Sequence, residues 1–194
     1  MYSKYGKRTI DFLLSLAGII ILSPLLIVLM VLIKVTSPGP VFFKQKRVGI
    51  HKSYFNILKF RTMRIDTPKD MPTHLLENPD QYITSIGKFL RKTSLDELPQ
   101  LFNIFKGEMS IVGPRPERPY FVEKFKEEIP RYMVKHQVRP GLTGWAQVNG
   151  YRGDTSIKKR IEYDLYYIEN WTFGFDIKIM FMTIFKGFVN KNAY

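Results

Sequence analysis

From Phe12 to Ile33 the chain carries no charged side chain across 22 positions. As a helix this run measures about 33 Å, the thickness of a bilayer core. No small-residue cleavage site follows it, which argues against a secretory leader. Ser23-Pro24 stands in its middle. Pro24 has no N–H and its ring crowds the carbonyl of Ile20, so a kink is expected, and the Ser23 hydroxyl could satisfy the freed carbonyl. Two readings follow: a kinked crossing of the bilayer, or a segment that dips in, turns at Ser23-Pro24 and returns to the same face. In the second, each arm of about 10–12 residues would reach mid-bilayer, at roughly 15–18 Å. Lys4, Lys7 and Arg8 precede the run, and Lys34, Lys44, Lys46 and Arg47 follow it. With both flanks basic, the preference of positive residues for the inside assigns neither end to the outside.

Beyond Lys34 the periodicity changes. Ser37-Pro38-Gly39-Pro40 reads as a turn. Two β-like runs, 41–48 and 54–63, flank Gly49-Ile50-His51-Lys52 and predict a hairpin. Residues 64–82 are punctuated by Pro and Asp and read as loop with at most a short helix. Helical patterns cover 81–92, 95–106 and 119–136; a Gly-rich irregular stretch spans 139–153. A helix over 155–170 places Ile157, Ile161, Leu165 and Ile168 on one face. The last apolar segment, 173–188, is interrupted by Asp176, Lys178 and Lys186 and is too broken to span a membrane. It suits either an interfacial helix or an amphipathic core helix.

Charge changes the picture next. The chain of 194 residues has a formal net charge of +13, and residues 1–64 hold eleven Lys/Arg against one acid, Asp11. Such a basic end calls for an anionic partner: nucleic acid, anionic lipid or a phosphorylated substrate. A nucleic-acid reading would use 44–64 with Phe42, Phe43, Tyr54, Phe55 and Phe60; the adjoining apolar run argues against it. There is no cysteine, which excludes disulfides and thiol catalysis, and His51, His74 and His136 lack ligand spacing. A bound metal would be a hard ion on oxygen ligands, such as Mg²⁺.

The sharpest local feature is Arg91-Lys92-Thr93-Ser94-Leu95-Asp96-Glu97-Leu98-Pro99-Gln100. Ser94 and Glu97 fit a capping box that starts a helix at Ser94. Asp96 and Glu97 then sit at the positive end of the helix dipole, which keeps a carboxylate ionised. That suits a nucleophile, a Mg²⁺ ligand or plain capping. Downstream, Arg115 stands between Pro114 and Pro116. An arginine so fixed can fork onto a phosphate at low entropic cost, or simply decorate a loop.

Seven segments together carry a resemblance: Lys7-Arg8-x-x-Asp11, Ser23-Pro24, Ser37-x-Gly-Pro-Val-Phe-Phe-Lys-Gln-x-Arg47-x-Gly49, Lys59-Phe-Arg-Thr-Met63, Thr93–Gln100, Val112-Gly-Pro-Arg-Pro-Glu117 and Arg139–Gly150. In this order the chain resembles the bacterial sugar transferase family, the monotopic polyprenyl-phosphate phosphoglycosyl transferases. The resemblance implies a mainly α fold with a small β-hairpin: a re-entrant membrane helix over 1–36, and a cytoplasmic catalytic domain with interfacial amphipathic helices over 37–194. It implies that Asp96 attacks the β-phosphorus of a UDP-sugar, releasing UMP, and that polyprenyl phosphate then takes the sugar-phosphate. Glu97 would serve as Mg²⁺ ligand or base, with Asp96 also a metal-ligand candidate. Arg91, Arg115 and Arg139 are the phosphate candidates, with Lys59 and Arg61 as further substrate contacts; Ser23 and Pro24 form the re-entrant break. The working place implied is the cytoplasmic face of the bacterial plasma membrane, among bilayer lipids, without nucleic acid, and with homo-oligomerisation left open. Gln147–Asp154 looks like members that use UDP-glucose and undecaprenyl phosphate; galactose and N-acetylhexosamine donors stay open. Many such members carry an additional N-terminal region, so the chain is expected to be a short member or a catalytic core.

Overall fold

The computed structural model describes residues 4–67, 78–153 and 155–187. Helix α1 (Lys4–Thr36) runs through Pro24 as one element, about 50 Å long at 1.5 Å per residue. The Ser23 hydroxyl donates to the Ile20 carbonyl at 2.8 Å, the group that Pro24 leaves without its helical donor. The helix therefore continues where the residues had suggested a turn as one alternative.

One stripe of α1 is covered by the rest of the protein: Lys7, Asp11, Ser15, Leu26, Leu29 and Ile33 are buried, with Leu22 partly so between the two groups. Intervals of three, four and seven residues keep these positions on one helical face. The opposite face is apolar and uncovered, with Ile20, Ile21, Ile27, Val28, Val31 and Val35 all exposed. The covered stripe changes chemistry along its length. Lys7 pairs with Asp176 at 2.7 Å, and Asp11 accepts the Ile111 amide at 3.0 Å. Farther along, Leu26, Leu29 and Ile33 pack with Phe60 and Leu90.

The predicted hairpin forms from β1 (Phe42–Val48) and β2 (Tyr54–Phe60), antiparallel, with Phe42 opposite Phe60 and Val48 opposite Tyr54. Phe55 and Phe60 are buried, so two of the five aromatics of a nucleic-acid reading are core residues. His51 and Lys52, at the tip, adopt positive φ.

Helices α2 (Ser85–Thr93) and α3 (Gln100–Lys106) are joined by a 3-10 turn, Leu95–Glu97. Helix α3 lies against α1: Arg8 donates to the Ile104 and Phe105 carbonyls at its C-terminal end, while Leu22 of α1 packs on the cluster containing Leu101. The pattern over 119–136 divides into α4 (Pro119–Glu128) and a 3-10 segment, Tyr132–Gln137, with Arg131 between them at φ 61°. The α-helix ends at Ile129, which is extended at φ −122° before Pro130.

The stretch 139–153, expected to be irregular, contains a strand. β3 (Ser110–Val112) pairs in parallel with β4 (Gly141–Thr143). Here the two backbones nearly touch. A Cβ on Gly113 would meet the Arg139 carbonyl at 2.5 Å, and one on Gly141 would collide with the backbone amide of Gly113. Both positions require glycine for close approach, not for turning. Helices α5 (Trp145–Val148), α6 (Ile157–Glu169) and α7 (Phe173–Gly187) follow and close the described residues. On α6, Ile161 is buried, Ile157 and Leu165 flank the same cluster, and Ile168 reaches its neighbour. α7 is amphipathic: Asp176 and Ile179 are buried, while Phe173, Phe181, Ile184 and Phe185 are exposed.

Candidate active site

Ser94 ends α2 in the left-handed region at φ 57°, a conformation costing a non-glycine residue about 1–2 kcal/mol. The bend turns the chain into the Leu95–Glu97 turn and carries both acids inward, where Asp96 and Glu97 are buried. The expected capping box is corrected here. Ser94 makes no side-chain cap, and the Glu97 carboxylate points away from the turn's backbone. Its reason is electrostatic: three cations outcompete one amide for that carboxylate.

Those cations converge on one oxygen. Glu97 Oε1 lies 2.7 Å from Lys59 Nζ, 2.9 Å from Arg115 and 3.3 Å from Arg152. Lys59 comes from β2, Arg115 from the loop after β3, and Arg152 from the loop between α5 and α6. Burial alone would push the Glu97 carboxyl up; Arg115, Lys59 and Arg152 outweigh it and hold the group well below the ordinary 4.5. Glu97 in turn raises the Arg115 guanidinium above its usual value.

Asp96, one residue earlier, is the opposite case. Its Oδ2 is 4.0 Å from Lys59, and its buried Oδ1 has no hydrogen-bond partner among the described residues. Burial raises its carboxyl above the ordinary 3.8, with Glu97 adding to the rise; Lys59, Arg152 and Arg91 only partly oppose it. Two neighbouring carboxylates are thus driven apart: Glu97 is fixed as an anion, and Asp96 keeps an uncommitted oxygen. Gln100, four residues on, is also buried, and its amide nitrogen lacks a partner among the described residues.

The other sequence-predicted residues divide. Lys59 and Arg115 are at the pair. Arg91 donates through Nε to the Thr62 hydroxyl at 2.9 Å and lies close enough to lower the Asp96 carboxyl. Arg61 is not brought there: it is buried against the end of α1, donating to the Ser37 and Pro38 carbonyls at 2.8 and 2.6 Å. Arg139 is not brought there either. Its Nε donates to the Gly107 carbonyl at 2.9 Å, past the C-terminal end of α3, while the acids precede the N-terminal end. Arg152 was missed by sequence reasoning. It lies in a Gly-rich stretch without periodicity, and its signal was its place inside Gln147–Asp154, the segment that resembles UDP-glucose-using members.

Two carboxylates are a sufficient protein contribution for Mg²⁺, which usually completes its shell with water and substrate phosphate. Asp96 Oδ1 offers a free donor, and no cluster of three or more His, Asp or Glu competes among the described residues. An acid with one oxygen unpartnered among the described residues, an anchored acid and three cations thus meet at one place.

Residues 2–190 match the bacterial sugar transferase family, and the chain belongs to it. It is 46% identical over 192 residues to the UDP-glucose:undecaprenyl-phosphate glucose-1-phosphate transferase of Escherichia coli K12, covering 97% of this chain and 41% of that protein. It is also 46% identical over 180 residues to the UDP-N-acetylgalactosamine-undecaprenyl-phosphate N-acetylgalactosaminephosphotransferase of Aeromonas hydrophila, covering 92% of this chain and 42% of the other. The exopolysaccharide production protein PSS of Rhizobium leguminosarum bv. phaseoli is 40% identical over 185 residues, 92% of each chain. The chain thus spans about two fifths of the length of the first two relatives.

Proposed function

We propose that this protein is a phosphoglycosyl transferase that moves a hexose-1-phosphate from UDP-glucose to undecaprenyl phosphate at the cytoplasmic face of the membrane. The observation that carries the reading is the asymmetry of the acid pair: Asp96 buried with an unpartnered oxygen, Glu97 held by Lys59, Arg115 and Arg152. In the first step the ionised Asp96 carboxylate attacks the β-phosphorus. A carboxylate–phosphorus bond forms, the bond from that phosphorus to the bridging oxygen breaks, and UMP departs. In the second, an oxygen of undecaprenyl phosphate attacks the same phosphorus and displaces Asp96, giving the lipid diphosphate sugar. Lys59, Arg115 and Arg152 can exchange the Glu97 oxygen for phosphate oxygens as charge builds there. Mg²⁺, held by Glu97 with Asp96 beside it, would offset diphosphate charge when bound.

The test is a donor panel read out as UMP release, with undecaprenyl phosphate present and absent, together with intact-mass analysis. The expected result is UMP without lipid, one sugar-phosphate added to the protein, and UDP-glucose as the best donor. The relative acting on UDP-N-acetylgalactosamine makes that sugar the main competitor in the panel. UMP that appears only when lipid is present, with no adduct, would overturn the two-step reading.

Arg115 supplies a second prediction. A charge-assisted contact to phosphate is worth about 1.5–3 kcal/mol. Arg115→Ala is therefore expected to lower kcat/KM for the UDP-sugar roughly 10- to 150-fold, with Arg115→Lys recovering part because an ammonium cannot fork onto two oxygens. Steady-state UMP release measures both; unchanged kinetics would place Arg115 outside the site.

The membrane disposition proposed keeps both ends of α1 at one face, as the re-entrant alternative requires, with the helix continuous through Pro24. Its support is the packing of α1 on the rest of the chain from Lys7 to Ile33, with an apolar outer face along the same length. A helix crossing at right angles would have to carry the rest of the chain, packed along it from Lys7 to Ile33, into the lipid. Cysteines placed at Tyr2 and Thr36 are expected to react with an impermeant maleimide from the same side of sealed vesicles. Labelling from opposite sides would establish a crossing.

A further inference from the structure

Two of the cations on Glu97, Arg115 and Arg152, come from loops that share no strand or helix. Arg115 follows β3, and Arg152 lies between α5 and α6. Each must be aimed, and the backbone of neither loop is tied to the other by a ladder. One side chain spans the gap. Arg160, in the first turn of α6, donates from Nη1 to Glu117 Oε1 at 2.9 Å and from Nη2 to the Gly153 carbonyl at 2.6 Å. A weaker contact reaches the Thr155 hydroxyl at 3.4 Å. Glu117 is two residues beyond Arg115, and Gly153 directly follows Arg152. Arg160 is only 8% exposed, so its contacts are largely shielded from water.

We propose that Arg160, with Glu117, is a positioning residue that sets Arg115 and Arg152 in register with each other for the phosphates of the donor. The inference rests on the function proposed above. Arg160 needs no contact with substrate. A guanidinium is suited to the task because its rigid fork satisfies two acceptors at a fixed angle, which an ammonium cannot do. The loop of Arg115 is braced independently on its other side, by Val48 N–H donating to the Glu117 carbonyl at 3.0 Å and by Arg47 donating to the Pro116 carbonyl at 3.1 Å. The loop of Arg152 takes its brace from the α6 side: the Thr155 N–H donates to the Gly153 carbonyl at 3.1 Å, next to Ser156, the cap of α6. Loss of Arg160 should therefore free Arg152 more than Arg115.

The experiment is a double-mutant cycle on the full chain in detergent or nanodiscs, with UMP release from UDP-glucose as readout. Arg160→Lys is expected to lower kcat/KM about tenfold, and Arg152→Ala by a similar factor. Combined, the two should lose at least about fivefold less than the product of the single losses, because a misaimed Arg152 has little left to lose. Glu117→Gln, which keeps shape and acceptor, should show a smaller effect of the same kind and stands in if Arg160→Lys does not fold. A purely architectural Arg160 would instead lower Tm and the active fraction, while its loss multiplied fully with that of Arg152→Ala; that result overturns the proposal. Failure of both Arg160→Lys and Glu117→Gln to fold overturns it too, since the pair would then be a folding element. Absence of UMP release by the unaltered protein would instead defeat the proposed function itself.

Discussion

Asp96→Asn is expected to be inactive and more heat-stable than the unaltered protein. Removing a nucleophile that forms a covalent intermediate costs on the order of 10⁴-fold or more in turnover. The gain in stability comes from the same burial that isolates the group. With its carboxyl raised above 3.8, the folded protein holds the Asp96 proton more tightly than the unfolded chain does. Ionised Asp96 thus opposes folding at neutral pH, and this penalty disappears as pH falls through the raised value toward 3.8. An amide has no such penalty. Thermal unfolding at pH 7 should show a higher Tm for Asp96→Asn, with the difference shrinking in acid. The unaltered enzyme should lose kcat/KM in acid with an inflection above 3.8, because only the carboxylate attacks. A variant with full turnover, or one with lower Tm at pH 7, would contradict the assignment.

Glu97→Gln should fail in the opposite direction. The Glu97 carboxyl is held below 4.5, so the folded state binds its proton more weakly than the unfolded chain. The resulting stability is present above about pH 4.5 and is lost as pH falls through the depressed folded value. A neutral amide at this position would leave Lys59, Arg115 and Arg152 facing one another without their shared anion. Removing one partner of a buried pair costs about 3–5 kcal/mol; the lower end applies here, since all three cations keep some access to water. Chemical denaturation at pH 7 should show that loss, and the gap between the proteins should narrow in acid. Activity should fall as well, because the cations would no longer be gathered at one point. Equal stability at pH 7 would mean that the three contacts are not formed in solution.

Much of this architecture was legible because it repeats. The apolar run, the hairpin alternation and the four-residue spacing of Ile157, Ile161 and Leu165 are long enough to reveal a period. The β3–β4 pair was not legible. Each strand has three residues, and the glycines that permit their contact, Gly113 and Gly141, resemble loop residues when read in one dimension. Ser94 through Glu97 misled for a different reason: a capping box and a carboxylate recruited by distant cations have the same four-residue pattern. Arg61 and Arg139 show where motif reading loses resolution. A basic residue in a recognisable motif can be required by a backbone carbonyl as readily as by a ligand, and only the fold tells Ser37 and Gly107 apart from phosphate. Arg152 is the converse, a residue at the acid pair inside a segment, Gln147–Asp154, that was read for donor choice and not for charge.

The double character of α1 bears on how the protein is made. It is synthesised before the elements it packs on, yet Asp11 bonds residue 111 and Lys7 pairs with residue 176. Until those partners emerge, both charges have only headgroups and water to meet, while the outer face already favours lipid. The hydrocarbon region can therefore receive the helix early, but its inner stripe is completed only when α7 arrives. Closing contacts across so much chain carries a large loop-entropy cost and is slow. A chain stopped before Asp176 should consequently be membrane-bound but loosely folded, with the Lys7 end of α1 among the last parts to be locked in place.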